Sequence, residues 1–274
     1  MNSEDAKVAR AVRRALPQIA EAIDLIAAAI GSGGRLIYVG TGTSGRIAAL
    51  DAVECQPTFN VGPETVQFVM AGGVKALSAA VEADEDSREL GRREMERRKP
   101  QPNDVVVGVT ASGRTPFTVA AIALARRRGA KTVALTCNRN SPLERAADLA
   151  IVTEVGPEVL SGSTRLKAGT AHKMVLNMLS TGAMARQGHV YGNLMSSLRR
   201  KNSKLMERAV TIVAQGADLK RAAAAMALRR ANGSLPVALV MNKARVTRAD
   251  AARALTVAGG NVRKAIARAR HVSS

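Results

Sequence analysis

The chain has 274 residues, 46% of them hydrophobic but only 2% aromatic, with no Trp. That is enough apolar material for one sizeable domain, or a domain with an appendage, built around Ala, Val, Leu, Ile and Met, and it excludes disorder as the default. The formal net charge is +19, concentrated after residue 185 in 18 Lys and Arg against three acids; with so few aromatics and no winged, zinc-finger or RNP-type pattern, this reads as a solvated basic surface rather than a nucleic-acid site.

In chain order, residues 1–31 carry apolar positions at helical spacing between charges, and no window reaches 18 apolar residues, so an amphipathic helix is expected rather than a leader or a membrane span. A glycine-bounded apolar run, Leu36 to Val39, predicts a buried parallel strand, followed by a helix from about Ser44 to Ala52. Thr65 to Met70 predicts a second strand, ending at Ala71-Gly72-Gly73, and Val74 to Arg98 a long helix. The grammar repeats in the strand from Asp104, the turn ASGRTP, a helix from Pro116 to Arg128, the strand from Thr132 and a fifth strand from Leu149. From Arg165 onward the pattern is helical, and Ser234 with Pro236 marks a helix start in a small C-terminal appendage.

Strands alternating with helices predict an α/β fold: a parallel sheet of about five strands with helices on both faces, three layers in all. The expected division is 1–213 for this domain and 214–274 for a helical subdomain. Such sheets bind ligands at the carboxyl ends of their strands, where both Gly/Ser/Thr turns fall. Gly40 to Gly45 satisfies GxGxxG, yet the second strand ends in Ala71-Gly72-Gly73 without the acid that grips a ribose, so a dinucleotide is not favoured. Instead, hydroxyls at Thr41, Thr43, Ser44, Thr110, Ser112 and Thr115 beside helix N-termini fit a phosphate monoester. Cys55 and Cys137 lack CxxC spacing and lie far from His172, His189 and His271, so neither a metal site nor a disulfide framework is suggested and a reducing cytoplasm fits.

Two acids stand out. Glu54, among apolar neighbours beside Cys55, is expected to be partly desolvated and suited to proton transfer. Glu85, clustered with Glu82, Asp84, Asp86 and Glu89, reads by spacing alone as a solvated helix residue.

The stretches GTGTSGR, DAVECQPTF, AGGVKALSAAVEADEDSRE and VVGVTASGRTPF, and the long run VGPEVLSGSTRLKAGTAHKMVLNMLSTGAMARQGHVYGNLM, resemble the N-acetylmuramic acid 6-phosphate etherases, of the sugar isomerase (SIS) fold group. The resemblance runs from about Ser3 to Val213 and more loosely beyond. It implies a cytoplasmic homodimer in peptidoglycan recycling, a carbon–oxygen lyase without metal or redox cofactor. Its substrate would be N-acetylmuramic acid 6-phosphate, its products N-acetylglucosamine 6-phosphate and D-lactate. It further implies Glu54 as the acid protonating the departing lactate and Glu85 as the second catalytic glutamate, the base at C2, which reverses the spacing-based reading of Glu85. Thr43, Ser44, Ser112, Gly113 and Thr115 match the sugar-phosphate turns, Ser163, Arg165 and Lys167 a motif completing the pocket, and Glu82 a contact to sugar hydroxyls. Gln56 stands where the family has Pro and His172 where it usually has Gln. Ten residues of straight helix put Glu54 roughly 15 Å from the first turn, so either a partner subunit completes the site or the helix ends early and Pro57 turns the chain back. The alternative is a non-catalytic sugar-phosphate-binding regulator of the glucokinase-regulator type, whose members lack a counterpart of Glu54.

Overall fold

A computed structural model describes residues 1–79, 84–197 and 203–272. Its chain divides into two compact units, residues 1–54 with 62–183, and residues 55–61 with 184–274. The boundary expected at 213/214 lies inside the helix Ser203–Ala217.

In the first unit, α1 (Asn2–Arg14) and α2 (Leu16–Gly31) replace the single expected N-terminal helix. Pro17 is the reason for the break, because its ring fixes the start of a new helix and has no N–H to continue the old one. Then follow β1 (Leu36–Gly40), α3 (Gly42–Phe59), β2 (Val66–Met70), α4 (Arg88–Arg97), β3 (Val105–Val109), α5 (Pro116–Arg127), β4 (Lys131–Thr136), α6 (Pro142–Ala146), β5 (Leu149–Val152) and α7 (Lys167–Gln187). The long helix expected over 74–98 is not continuous. A 3-10 turn covers Gly73–Leu77, and α4 starts only after Ser87, whose hydroxyl accepts the Leu90 N–H at 3.1 Å as an N-cap.

All five expected strands pair in parallel, in the order β2-β1-β3-β4-β5. Alternate side chains go to opposite faces. Ile37, Val39 and Val106 join Phe117 and Ile122 of α5, Met95 of α4 and Leu143 of α6 in one apolar layer. On the other face the buried Tyr38 hydroxyl donates to Asp51 of α3 at 2.8 Å, and the same carboxylate accepts from Asn177 and Ser180 of α7 at 2.6 and 3.1 Å. Burial raises the Asp51 pKa, and these donors oppose the rise.

The second unit holds a hairpin, β6 (Val190–Tyr191) and β7 (Leu194–Met195), and helices α8 (Ser203–Ala217), α9 (Arg221–Arg230), α10 (Leu235–Ala244), α11 (Arg248–Val257) and α12 (Val262–Val272). The hairpin departs from the all-helical expectation after Arg165. Its signal is weak because each strand has only two residues. Ser234 does cap α10, accepting from the Val237 N–H at 3.4 Å. Val213, Leu228, Leu239 and Ala265 lie in the unit's own apolar core.

At the amino-terminal edge of the sheet, Asp104 immediately precedes β3 and lies next to Arg35, which immediately precedes β1. The Asp104 carboxylate accepts from the Arg35 backbone at 2.9 Å, from its guanidinium at 2.5 Å and from the Gln101 N–H at 2.8 Å. Burial alone would raise the Asp104 pKa, but the Arg35 and Gln101 donors hold it below the ordinary carboxylate value. Removing this acceptor by Asp104→Ala leaves two backbone donors unpaired and the guanidinium with only the Arg98 and Lys99 carbonyls, so stability in urea is expected to fall by about 3 kcal/mol. A midpoint equal to wild type would show the pair to be dispensable. Because the native carboxyl is the stronger acid, its contribution is full above about pH 4 and is lost as pH falls through the native value.

Candidate active site

The two hydroxyl-bearing turns are brought together by strand register. Gly40 at the end of β1 pairs with Val109 at the end of β3, so Thr41 and Thr110 leave the sheet side by side. The expected common rim is therefore present. In the first turn the Gly45 N–H donates to the Thr41 carbonyl at 2.8 Å, closing the first turn of α3. The amides of residues 42–44 precede any intrahelical acceptor and remain available to an anion. Gly42 has φ +49°, a backbone conformation costly for residues with a Cβ.

The second turn offers hydroxyls more than amides. Thr110 Oγ1 lies 2.8 Å from Thr115 Oγ1 and 3.4 Å from Ser112 Oγ, which also accepts the Arg114 N–H at 3.1 Å. The Phe117 N–H of α5 goes to the Glu85 carbonyl at 3.1 Å. Gly113 has φ +68°, and a Cβ there would fall 2.3 Å from Ser141, so a side chain at this position would disrupt the turn.

Glu85 is not a solvated helix residue. It lies in the turn before α4, half-buried, and its Oε2 accepts the Thr41 hydroxyl hydrogen at 3.0 Å. Its other oxygen lies over Gly42, 3.1 Å from where a Cβ would stand. One oxygen is thus oriented by the Thr41 hydroxyl and the other is held over the start of α3. Glu82 lies outside the described residues.

Glu54 is exposed, and α3 runs unbroken through Pro57 to Phe59. This corrects the expectation of a partly desolvated carboxylate and removes the early-ending helix. The physical reason is its helix face: Leu50, Val53, Glu54 and Pro57, at spacings of three and four, all point to solvent, with Leu50 57% and Val53 51% exposed.

The start of α7 reaches the first turn, where a Cβ on Gly169 would lie 3.4 Å from Thr43. Ser163 is half-buried and Arg165 exposed in the loop before it. Lys167 is only 1% exposed, and its ammonium donates to Glu4 of α1 at 2.7 Å rather than standing open to a ligand. Hydrogen bonds from Lys167 and then Lys7 pull the Glu4 carboxyl down to about 2.

Three participants carry little signal in the sequence. Glu158 accepts the Lys167 and Ala168 N–H groups at 2.9 and 3.0 Å, capping α7 from nine residues upstream. His172, with no exposed surface, places Nδ1 3.2 Å from Ser44 Oγ and Nε2 3.8 Å from Cys137 Sγ. Burial pushes the imidazole down to about 4 and the Cys137 thiol up to about 11, so both are neutral at pH 7. A loop acid and a helix histidine look ordinary in one dimension; only the adjacency of α7 to the first turn and to Cys137 reveals them. Among the described residues no three His, Cys, Asp or Glu cluster in a way that could hold a metal ion, and no helix is long and apolar enough to cross a membrane.

Residues 18–126 match the glucokinase regulatory protein N-terminal SIS domain, and residues 96–182 the SIS domain. The N-acetylmuramic acid 6-phosphate etherase of Symbiobacterium thermophilum is 55% identical over 88% of this chain and 80% of its own length. The etherase of Aeromonas hydrophila is 51% identical over 92% of this chain and 85% of its own. A solved structure from Bacteroides fragilis, assigned as a phosphosugar isomerase involved in capsule formation, shares the fold with TM-score 0.51 and 22% identity over 69% of this chain and 90% of its own. At this level of identity across most of both chains, the chain belongs to the N-acetylmuramic acid 6-phosphate etherase family, built on the SIS fold.

Proposed function

We propose that this protein cleaves the D-lactyl ether of N-acetylmuramic acid 6-phosphate, releasing D-lactate and N-acetylglucosamine 6-phosphate. The observation that carries the reading is Glu85, hydrogen-bonded to Thr41 and poised over a turn suited to a phosphate. The phosphate sits on the α3 amides with the hydroxyls of Thr43, Ser44, Ser112 and Thr115, which favours an anion without a cation in contact. Opening of the sugar ring exposes the C1 aldehyde and acidifies C2. Glu85 takes the C2 proton, the C3–O bond breaks, and Glu54 protonates the departing lactate oxygen. Water then adds across the resulting double bond, hydroxide to C3 and a proton to C2. No metal or redox partner enters these steps. The setting is the cytoplasm, in the recycling of peptidoglycan sugars.

Glu54 enters the site from a second subunit. Along one helix it is the sole acid in an exposed stripe with Leu50, Val53 and Pro57, surface that favours burial against another protein. In a two-fold dimer that contact would carry each Glu54 toward its partner's turns. The regulatory alternative is disfavoured because Glu54, which such regulators lack, is present here and relatives named as etherases are 55% and 51% identical.

Three measurements test this. Glu54→Gln and Glu85→Gln are each expected to lower lactate release about 10²–10⁴-fold. In deuterated water Glu54→Gln should still exchange the C2 hydrogen of substrate while Glu85→Gln should not; the opposite pattern would exchange the two roles. Mixing the two inactive variants and allowing subunits to re-pair should restore about a quarter of wild-type activity, since half the dimers then hold one intact site of two. No recovery, with exchange of subunits verified, would place both glutamates in a single chain's site.

A further inference from the structure

The contact between Ser44 and His172 has no assigned purpose in the reaction. His172 lies two turns into α7, wholly buried, with one ring nitrogen toward a hydroxyl of the first turn and the other toward a thiol. We propose that His172 is a positioning residue: it donates its Nδ1–H to Ser44 Oγ, and so turns the Ser44 hydroxyl hydrogen outward to a phosphate oxygen. This rests on the first turn being the phosphate seat.

The number of available hydrogens decides which tautomer serves the ligand. A phosphate dianion only accepts, and Ser44 has a single hydroxyl hydrogen. Were Nδ1 bare, it would compete for that hydrogen and leave only oxygen lone pairs facing the anion. With Nδ1 protonated, Ser44 accepts from the ring and gives its hydrogen to the ligand. A neutral imidazole carries one N–H, so Nε2 must then be an acceptor. It has a suitable donor: Cys137 Sγ lies 3.8 Å away and Thr153 Oγ1 lies 3.5 Å beyond the sulfur. Burial keeps that thiol protonated near neutral pH. Thr153 gives its hydroxyl hydrogen to the Thr136 carbonyl at 3.4 Å, so the chain runs from Cys137 through His172 to Ser44, each hydrogen pointing toward the ligand and each link ordering the next. The imidazole touches neither sugar nor phosphate and acts only through Ser44.

Nitrogen-15 NMR on histidine-labelled wild-type protein, with the His172 signal assigned by its loss in His172→Gln, reads the tautomer directly. Nδ1–H is expected, and an Nε2–H tautomer overturns the proposal. Calorimetry with N-acetylglucosamine 6-phosphate then tests the coupling. His172→Leu should weaken binding about tenfold, and His172→Gln, whose amide can still donate, should restore it to within about twofold. In a Ser44→Ala background the Leu substitution should cost nothing further; an equal loss there would mean a packing role and overturn the assignment. The coupling is read from binding rather than lactate release, so it stands or falls separately from the etherase assignment.

Discussion

The register between β1 and β3 is the constraint on which the site depends. Because Gly40 is paired with Val109, two chains leave the sheet at the same height and turn into helices on neighbouring strands. A slip of one residue would move one turn along the strand and send every side chain of that strand to the opposite face. Two features protect the register. Ile37, Val39 and Val106 are held in a close-packed apolar layer on one face, and Tyr38 is tied on the other to the Asp51 carboxylate. At the far edge, Asp104 ties the residue just before β1 to the loop leading into β3. The site therefore sits at one end of a sheet whose other end is pinned by charge.

That frame explains how an acid can lie beside an anion seat. A carboxylate next to a phosphate is repelled, yet Glu85 is fixed there by the Thr41 hydroxyl, while its own backbone carbonyl takes the Phe117 N–H. The segment carrying Glu85 is thus attached to both turns at once, by side chain to the first and by backbone to the second. Held in this way, the carboxylate keeps one oxygen on the Thr41 hydroxyl and the other over Gly42.

The parallel sheet, its five strands and the common rim were legible because a βαβ pattern repeats and glycine-bounded apolar runs have few other solutions. What was illegible has particular causes. The split of residues 74–98 turned on a serine cap that propensity alone does not weigh against a continuous charged pattern. The break between α1 and α2 turned on one proline. Glu54 and Glu85 misled in opposite directions, because burial is set by what packs against a helix face and not by the residues adjacent in sequence. Apolar neighbours around Glu54 proved to be an uncovered stripe, whereas the acid-rich surroundings of Glu85 concealed a side chain turned inward to Thr41. For Glu85 the resemblance carried information that spacing did not.

The start of α7 shows how the rim is kept selective despite a chain charge of +19. Helices α3, α5 and α7 all begin near these turns, and each N-terminus would attract an anion. At α7 that position is already filled from within: Glu158 accepts the first two N–H groups, and the nearby Lys167 ammonium is neutralised by Glu4. At α5 the Phe117 amide is taken by the Glu85 backbone. At α3 the amides of residues 42–44 have no acceptor within the helix, and it is the helix whose first turn carries Thr43 and Ser44. Under the proposed function an anion seated there meets neutral donors at fixed angles rather than a cation that would accept any phosphate. The basic residues of the C-terminal third contribute long-range attraction at most, since a salt-screened surface charge cannot supply that geometry.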